Sequence, residues 1–236
     1  MKNLLVLILL TIPFVTFSQD ELKENLSPKF EKDWEASLLL GLSSYEGDLH
    51  CFEDEELGTL SNSNFAFGLA VKRNFSETFA AGLSYRMAKL SGDDRAFSAA
   101  SGHQQRGFSF TNNLHELTLR VDFTPFGKKD WKVQPYVYTG IGVALGKADT
   151  NFDATDIDSP SFDALITKDM DEVSTASSTA PIGIGVKAAL TDRITIGLEG
   201  GVRFLNNDYL DGVSVSANSE VNDFYGVGGV TVGYKF

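Results

Sequence analysis

Eight times along this chain, every second residue turns apolar while the residues between are glycine or charged. The segments are 34–44, 64–73, 79–90, 108–124, 133–147, 180–190, 194–204 and 225–236. A period of two is the signature of a β-strand with unlike faces. In 194–204, Ile196, Leu198, Val202 and Phe204 fall on one face, and Gly197, Glu199, Gly201 and Arg203 on the other. The same division places Gly68, Gly82, Gly140, Gly142, Gly183 and Gly185, with Arg86, Glu116, Arg120 and Lys187, opposite apolar rows. A soluble barrel that holds a ligand needs an apolar interior, and this set cannot supply one. The apolar face must look outward, toward an apolar solvent.

The segment lengths fit that solvent. A tilted membrane strand needs about 9–11 residues, and most of these have ten or more. No second long apolar run follows the first residues, and the mean hydropathy is slightly negative, which excludes helical spans. The connections alternate in length. Short ones are 74–78, 125–132 and 191–193; long ones are 46–63, 91–107, 148–179 and 205–222. Transmembrane barrels have short periplasmic turns and long extracellular loops. Aromatic residues collect at the short-turn end: Phe75, Phe79, Phe123, Phe126, Trp131, Tyr136, Tyr234 and Phe236, as in an interfacial girdle. The predicted fold is all-β: an eight-stranded antiparallel transmembrane β-barrel in an outer membrane, with lipid as its solvent.

The N-terminus agrees with export. Lys2, an apolar run over 4–17, and a Thr16-Phe17-Ser18 cleavage site give a signal peptide over 1–18. Residues 19–33 are polar and form a periplasmic lead-in, and 34–236 form the barrel. Cys51 is the one cysteine, so no intrachain disulfide forms, and a free thiol is expected. The net charge is −12, and loss of Lys2 makes it −13. Nucleic acid is excluded as a partner on that balance.

An eight-stranded barrel is only wide enough for its own side chains. Arg86, Glu116, Arg120, Lys187, Glu199 and Arg203 are therefore predicted to form a packed ion-pair network rather than a channel. Lys187 and Glu199 can meet diagonally beside the 191–193 turn, and Glu116 can reach Arg86 or Arg120. Catalysis has little support. His115 falls on the apolar face, and His103 with Asp93, Asp94 and Ser101 is the single candidate cluster, of a kind polar loops produce by chance. No enzyme and no cofactor is expected. The acidic 148–179 loop reads as solvated and flexible. Its Asp153, Asp156 and Asp158 are the candidates for Ca²⁺, although their spacing matches no EF-hand. At the outer rim, Gly47, Asp48, Asp208, Tyr209, Asp211 and Asp223 sit at strand ends, where Asp and Gly serve turn chemistry. The competing reading is a partner-docking edge.

Two resemblances add to this. The terminal strand, with Tyr234 and a last residue Phe236, looks like the insertion signal of outer-membrane barrels, which implies the barrel-assembly machinery as a partner. The stretch Gly41-Leu-Ser-Ser-Tyr-Glu-Gly-Asp-Leu49 resembles the first strand and rim of the DUF6089 barrels of Bacteroidetes. Arg106-Gly-Phe-Ser-Phe110, Asn113-Leu-His-Glu-Leu117, Gln134-Pro-Tyr-Val-Tyr-Thr-Gly-Ile141 and Gly183-Ile-Gly-Val-Lys187 follow in order. Asp208-Tyr-Leu-Asp-Gly-Val-Ser214 and Asn222-Asp-Phe-Tyr225 complete the series over nearly the whole exported chain. The family includes the PorG-type component of type IX secretion. The resemblance implies a structural, non-enzymatic barrel that associates with periplasmic type IX secretion ring proteins. The alternative is a freestanding barrel of the OmpA/OmpX kind, for envelope stability or ligand binding through the acidic loops.

Overall fold

The computed structural model describes residues 34–47, 49, 63–96, 103–127, 132–153, 155, 157–172, 175–206, 209–216 and 223–236. The expected signal peptide and lead-in, together with His50, Cys51, Ser101, Trp131, Asp48, Asp156 and Asp208, lie outside the described residues.

Among the described residues nine strands form: β1 (Trp34–Glu46), β2 (Asn64–Asn74), β3 (Phe79–Asp93), β4 (Ser109–Phe123), β5 (Val133–Leu145), β6 (Ala148–Asn151), β7 (Ala176–Ala189), β8 (Ile194–Leu205) and β9 (Phe224–Lys235). Each long strand pairs antiparallel with its neighbours, and β3–β4 and β1–β9 close the sheet into an eight-stranded barrel. The short β6 is not a ninth stave. It pairs with β4 in the register β5 already holds, from His115↔Leu145 to Asn112↔Ala148, so it extends the β4–β5 hairpin above the barrel wall. Strand β7 starts at Ala176, four residues ahead of the expected 180. Its added residues Ala176, Ser177, Ser178 and Thr179 carry no apolar alternation, because they lie toward the outer end.

The pairing registers fix the barrel's dimensions. Following partners around the wall runs Trp34, Arg73, Ala81, Val121, Thr139, Ile182, Val202, Gly226 and back to β1 at Ser44, ten residues on. With about 3.3 Å per residue and 4.8 Å between strands, that stagger tilts the strands by about 40°. Each residue then climbs about 2.5 Å along the axis, and the ~25 Å apolar band of an outer membrane takes about ten residues.

The outward face is built for hydrocarbon. Each strand leaves an apolar side chain uncovered at mid-height, from Val230 at 46 % exposed to Ile184 at 69 %, with Leu40, Leu69, Leu83, Leu119, Ile141 and Leu198 between. In water such a belt would be an aggregation surface; in lipid it is the solvent contact. At the short-turn end Trp34, Phe75, Phe79, Phe123, Tyr234 and Phe236 form the girdle. Arg73 stands over the rings of Trp34 and Phe75 at 6.0 and 5.8 Å. Tyr136 does not join them. It occupies an even position of β5, faces the lumen and is 6 % exposed. The closed antiparallel sheet leaves no unpaired edge in the membrane, and the protein is an outer-membrane β-barrel.

Candidate functional site

Inside the lower lumen, eight charged side chains from five strands form one chain of alternating sign. It runs from Glu35 to Lys72 (3.3 Å), to Asp122 (2.8 Å), to Arg120 (2.5 Å), to Glu199 (2.7 Å), to Arg86 (2.5 Å), to Glu116 (4.0 Å) and to Arg203 (3.5 Å). All eight are buried. Four carboxylates face four cations, so every charge has an opposite neighbour, which is the condition for holding ions out of water. The strands place them by parity. Arg86 and Glu116 are direct cross-strand partners on β3 and β4, and Glu199 reaches across the lumen from β8.

Tyrosines complete the packing. Tyr138 is touched by three guanidiniums, with Arg120 at 3.8 Å from its ring centre and Arg86 and Arg203 near 6 Å. These are cation–π contacts in a desolvated site. Tyr136 donates to Glu199 at 2.7 Å, and Tyr225 donates to Glu116 at 2.5 Å. Across the β5–β7 ladder, Tyr138 pairs with Gly183 and Tyr136 with Gly185. Any Cβ at either glycine would overlap the facing ring, so these glycines exist to let the tyrosines lie flat on the wall.

The structure thus puts five of the six expected interior residues in one network and leaves Lys187 outside it. Glu199 is taken by Arg86 and Arg120, so the expected Lys187–Glu199 pair is not formed; Lys187 stands over the Tyr136 ring at 5.8 Å. Glu116 meets Arg86 and Arg203 but not Arg120, which turns to Asp122 and Glu199. Glu35, Lys72 and Asp122 were absent from the sequence-based set. Their signal was their parity, inward on β1, β2 and β4.

Above the charges the lumen is filled by an apolar plug. Leu49, Leu90, Phe108, Phe110, Leu114, Leu205, Leu210 and Val213 are buried together. Leu210 and Val213 belong to the β8–β9 connection, which dips into the mouth through a turn at Gly212 with φ +79°. The rim aspartates hold that segment. Tyr45 Oη lies 2.6 Å from Asp211 Oδ2 and 2.9 Å from Asp223 Oδ1. Asp223 also accepts from the Leu210 N–H, and Asp211 from the Val213 N–H. Gly47 packs against Tyr45 and Asp223, and Tyr209 is half-buried.

The acidic connection is not a bare loop. It contains β6 and a helix, α1 (Pro160–Glu172). Ser159 and Pro160 begin the helix and Asp163 lies in its first turn, as capping and the helix dipole favour. Phe162, Ile166 and Asp169 fall on one helical face and turn toward the plug. Phe162 stacks on Phe108 at 5.9 Å. Asp169, fully buried, accepts from the N–H groups of Ser214, Val215 and Ser216 and from the Ser216 hydroxyl. That carboxylate latches the helix over the mouth. On the β3–β4 side, Arg106 grips Asp94 with two bonds of 2.7 Å, and the Phe108 N–H donates to the same carboxylate.

Asp94 is committed to Arg106, and His115 points outward, with Nδ1 2.7 Å from the Tyr85 hydroxyl. Asp153 and Asp158 are exposed, and among the described residues no three His, Cys, Asp or Glu side chains converge on a metal position. Two lumen cavities beside Glu199 measure about 20 Å³ each, room for single waters. Chemically the interior is a neutralised, filled core.

The family described as "Domain of unknown function (DUF6089)" matches residues 31–236. Among solved structures, neisserial surface protein A is similar at 13 % identity, with 86 % of this chain and 97 % of that chain covered and a TM-score of 0.49. A major outer membrane protein from Thermus thermophilus is similar at 12 % identity, covering 86 % and 99 %, with a TM-score of 0.49. Outer membrane protein W of E. coli gives 17 % identity, 87 % and 100 %, and a TM-score of 0.42. None of the curated proteins matches this chain.

Proposed function

This chain belongs to the DUF6089 family, and from that membership and its filled lumen we propose that it is a non-enzymatic, non-conducting outer-membrane barrel of the PorG type, a structural component of type IX protein secretion. The observation that carries the structural part is the interior. An unbroken ion-pair chain fills the lower lumen and a latched apolar plug fills the upper one. Such a barrel works by what it holds in the membrane, not by what it passes.

The secretion part rests on the family resemblance. The outer mouth is covered by the chain's own segments, so a structural partner is met from the periplasmic side, at the turns beside Phe75, Phe126 and Asp192, all exposed. The freestanding reading draws on a different observation: helix α1 is a folded element at the surface and exposes Asp163, Lys168, Met170 and Asp171 outward, as a recognition surface would.

Gentle extraction and co-purification with a tag placed after Gln19 separates them. Near-stoichiometric recovery of periplasmic secretion-ring proteins, lost on Phe126→Asp, is the expected result. Recovery of the folded barrel alone overturns the secretion reading. Stepwise conductance in planar bilayers overturns the filled-lumen reading independently.

A further inference from the structure

The outer wall carries polar groups in one sector at the height where the apolar belt ends. Phe79, Phe123 and Val137 lie in one row across β3, β4 and β5. Ten residues along each strand from that row stand Lys89, Asn113 and Lys147, about 25 Å higher at the tilt derived above. Lys89 pairs with Asn113 on β4, and the register common to β5 and β6 sets Lys147 on Asn113's other side. All three are exposed and face outward. In the row below, Met87, His115 and Leu145 are partners, so His115 interrupts the last apolar row directly beneath Asn113. Tyr85 bonds His115 Nδ1, which fixes the ring and leaves Nε2 as its remaining polar atom.

We propose that this sector is a binding site for a lipid headgroup of the outer leaflet that carries a phosphomonoester. The two lysine Cα atoms are about 10 Å apart, two strand spacings, and ammonium groups on four-carbon stems from either side meet over Asn113. A phosphate held there by both lysines has the Asn113 amide and the His115 ring below it as hydrogen-bonding partners. Its acyl chains then run down over Met87, Leu117 and Leu145. Charge complementarity is local, because the chain as a whole carries −12. Outward residues at comparable strand ends elsewhere are Ser44, Glu46, Ser178 and Asn206, neutral or acidic. One row higher, Asp149 reverses the sign, which confines the anion to one height.

The inference needs the membrane placement but not the secretion partner, so either can fail without the other. The test uses the full-length exported barrel in phosphatidylcholine nanodiscs, titrated with monophosphoryl lipid A, and reads the midpoint of its heat-induced loss of the folded band. The lipid raises the midpoint in the native protein. A Lys89→Gln/Lys147→Gln pair weakens the apparent affinity by roughly 25-fold, at the usual value for two basic groups on an anionic surface. Lys132→Gln, an exposed change at the short-turn end, leaves it unaltered. Single lysine variants, each with about a fivefold loss by the same reckoning, serve if the pair fails to fold. The site is refuted if the double variant binds within about twofold of the native protein on that scale. It is equally refuted if phosphatidylglycerol or inorganic phosphate gives the same rise, since a diffuse anionic attraction or a free ion would then account for it.

Discussion

Removal of the Glu199 carboxylate is the sharpest perturbation of this barrel. Glu199 accepts from Arg86 at 2.5 Å, from Arg120 at 2.9 and 2.7 Å, and from Tyr136 at 2.7 Å, while 7 % exposed. In Glu199→Ala the two arginines fare differently. Arg120 keeps Asp122 at 2.5 Å, whereas Arg86 is left with Glu116 at 4.0 Å. One guanidinium is then stranded in a desolvated site, and breaking a buried pair in this way costs about 3–5 kcal/mol. Glu199→Gln keeps an acceptor of the same shape but no charge, and about 2 kcal/mol is expected, the value of charged over neutral hydrogen bonds. Arg86→Met supplies the control. If the pair is the cause, the double variant loses less than the sum of the singles, with a coupling of about 2 kcal/mol. The assay is urea unfolding from lipid vesicles, followed by tryptophan fluorescence and by the shift of the folded band. A loss under about 1 kcal/mol for Glu199→Ala, or a strictly additive cycle, would refute the reasoning, because it would mean that lumen water solvates these charges.

Three further outcomes follow from other contacts. Asp169→Asn weakens a carboxylate that accepts from three backbone N–H groups and a hydroxyl; the expected loss of about 2 kcal/mol falls on the latch, so limited proteolysis within α1 accelerates while the barrel's own Tm holds. Tyr45→Phe removes the donor between Asp211 and Asp223, and unfolding in urea should register about 1–3 kcal/mol. Gly183→Val drives methyl groups into the Tyr138 ring, so the fraction of chain that refolds into vesicles should drop sharply, and an unchanged fraction would show that the ring can swing aside.

The barrel was legible in the sequence because its strands meet two unlike solvents. Leu198 and Glu199 are neighbours in the chain but face lipid and lumen, and no other environment asks for that alternation over whole strands. Legibility failed where that contrast fades. Tyr136 is amphipathic and suits either a girdle or a lumen; only strand parity, continuous from Tyr138 through Glu199's partners, assigns it. Glu35, Lys72 and Asp122 lie near the periplasmic ends, where a charged residue is as natural in water as in a lumen, so their joining the ion-pair chain depends on pairing registers the sequence does not display. The plug was hidden for another reason. Leu49, Leu90 and the pair Leu210 and Val213 come from three distant places, and no local period links them. Helix α1 left a fainter mark: Ser159-Pro160 ahead of Phe162, Ile166 and Asp169 is a start signal followed by helical spacing, masked by the surrounding acid.

The division of the lumen into charges below and hydrocarbon above has a physical consequence for assembly. Every long strand is apolar on one face, so in a membrane a strand could satisfy its hydrogen bonds at more than one register. A slip of one residue turns the lumen face outward. With a purely apolar interior the cost of that error would be small, since lipid accepts either face. Here the same slip on β4 would place Glu116 and Arg120 against acyl chains, and a basic side chain at the bilayer midplane costs about 2–4 kcal/mol. On β8 it would expose Arg203 and Glu199, on β3 Arg86. The plug exerts no such control, because its residues are apolar, but it lies toward the outer end, where β4 is also held by β6 and the rim by Tyr45. Charges therefore set the register where the wall is bare to lipid, and loops set it where loops are present. A filled lumen lined with ions fits this account: the charges make the wrong barrel expensive, and once the right one has closed, each finds its opposite within 4.0 Å.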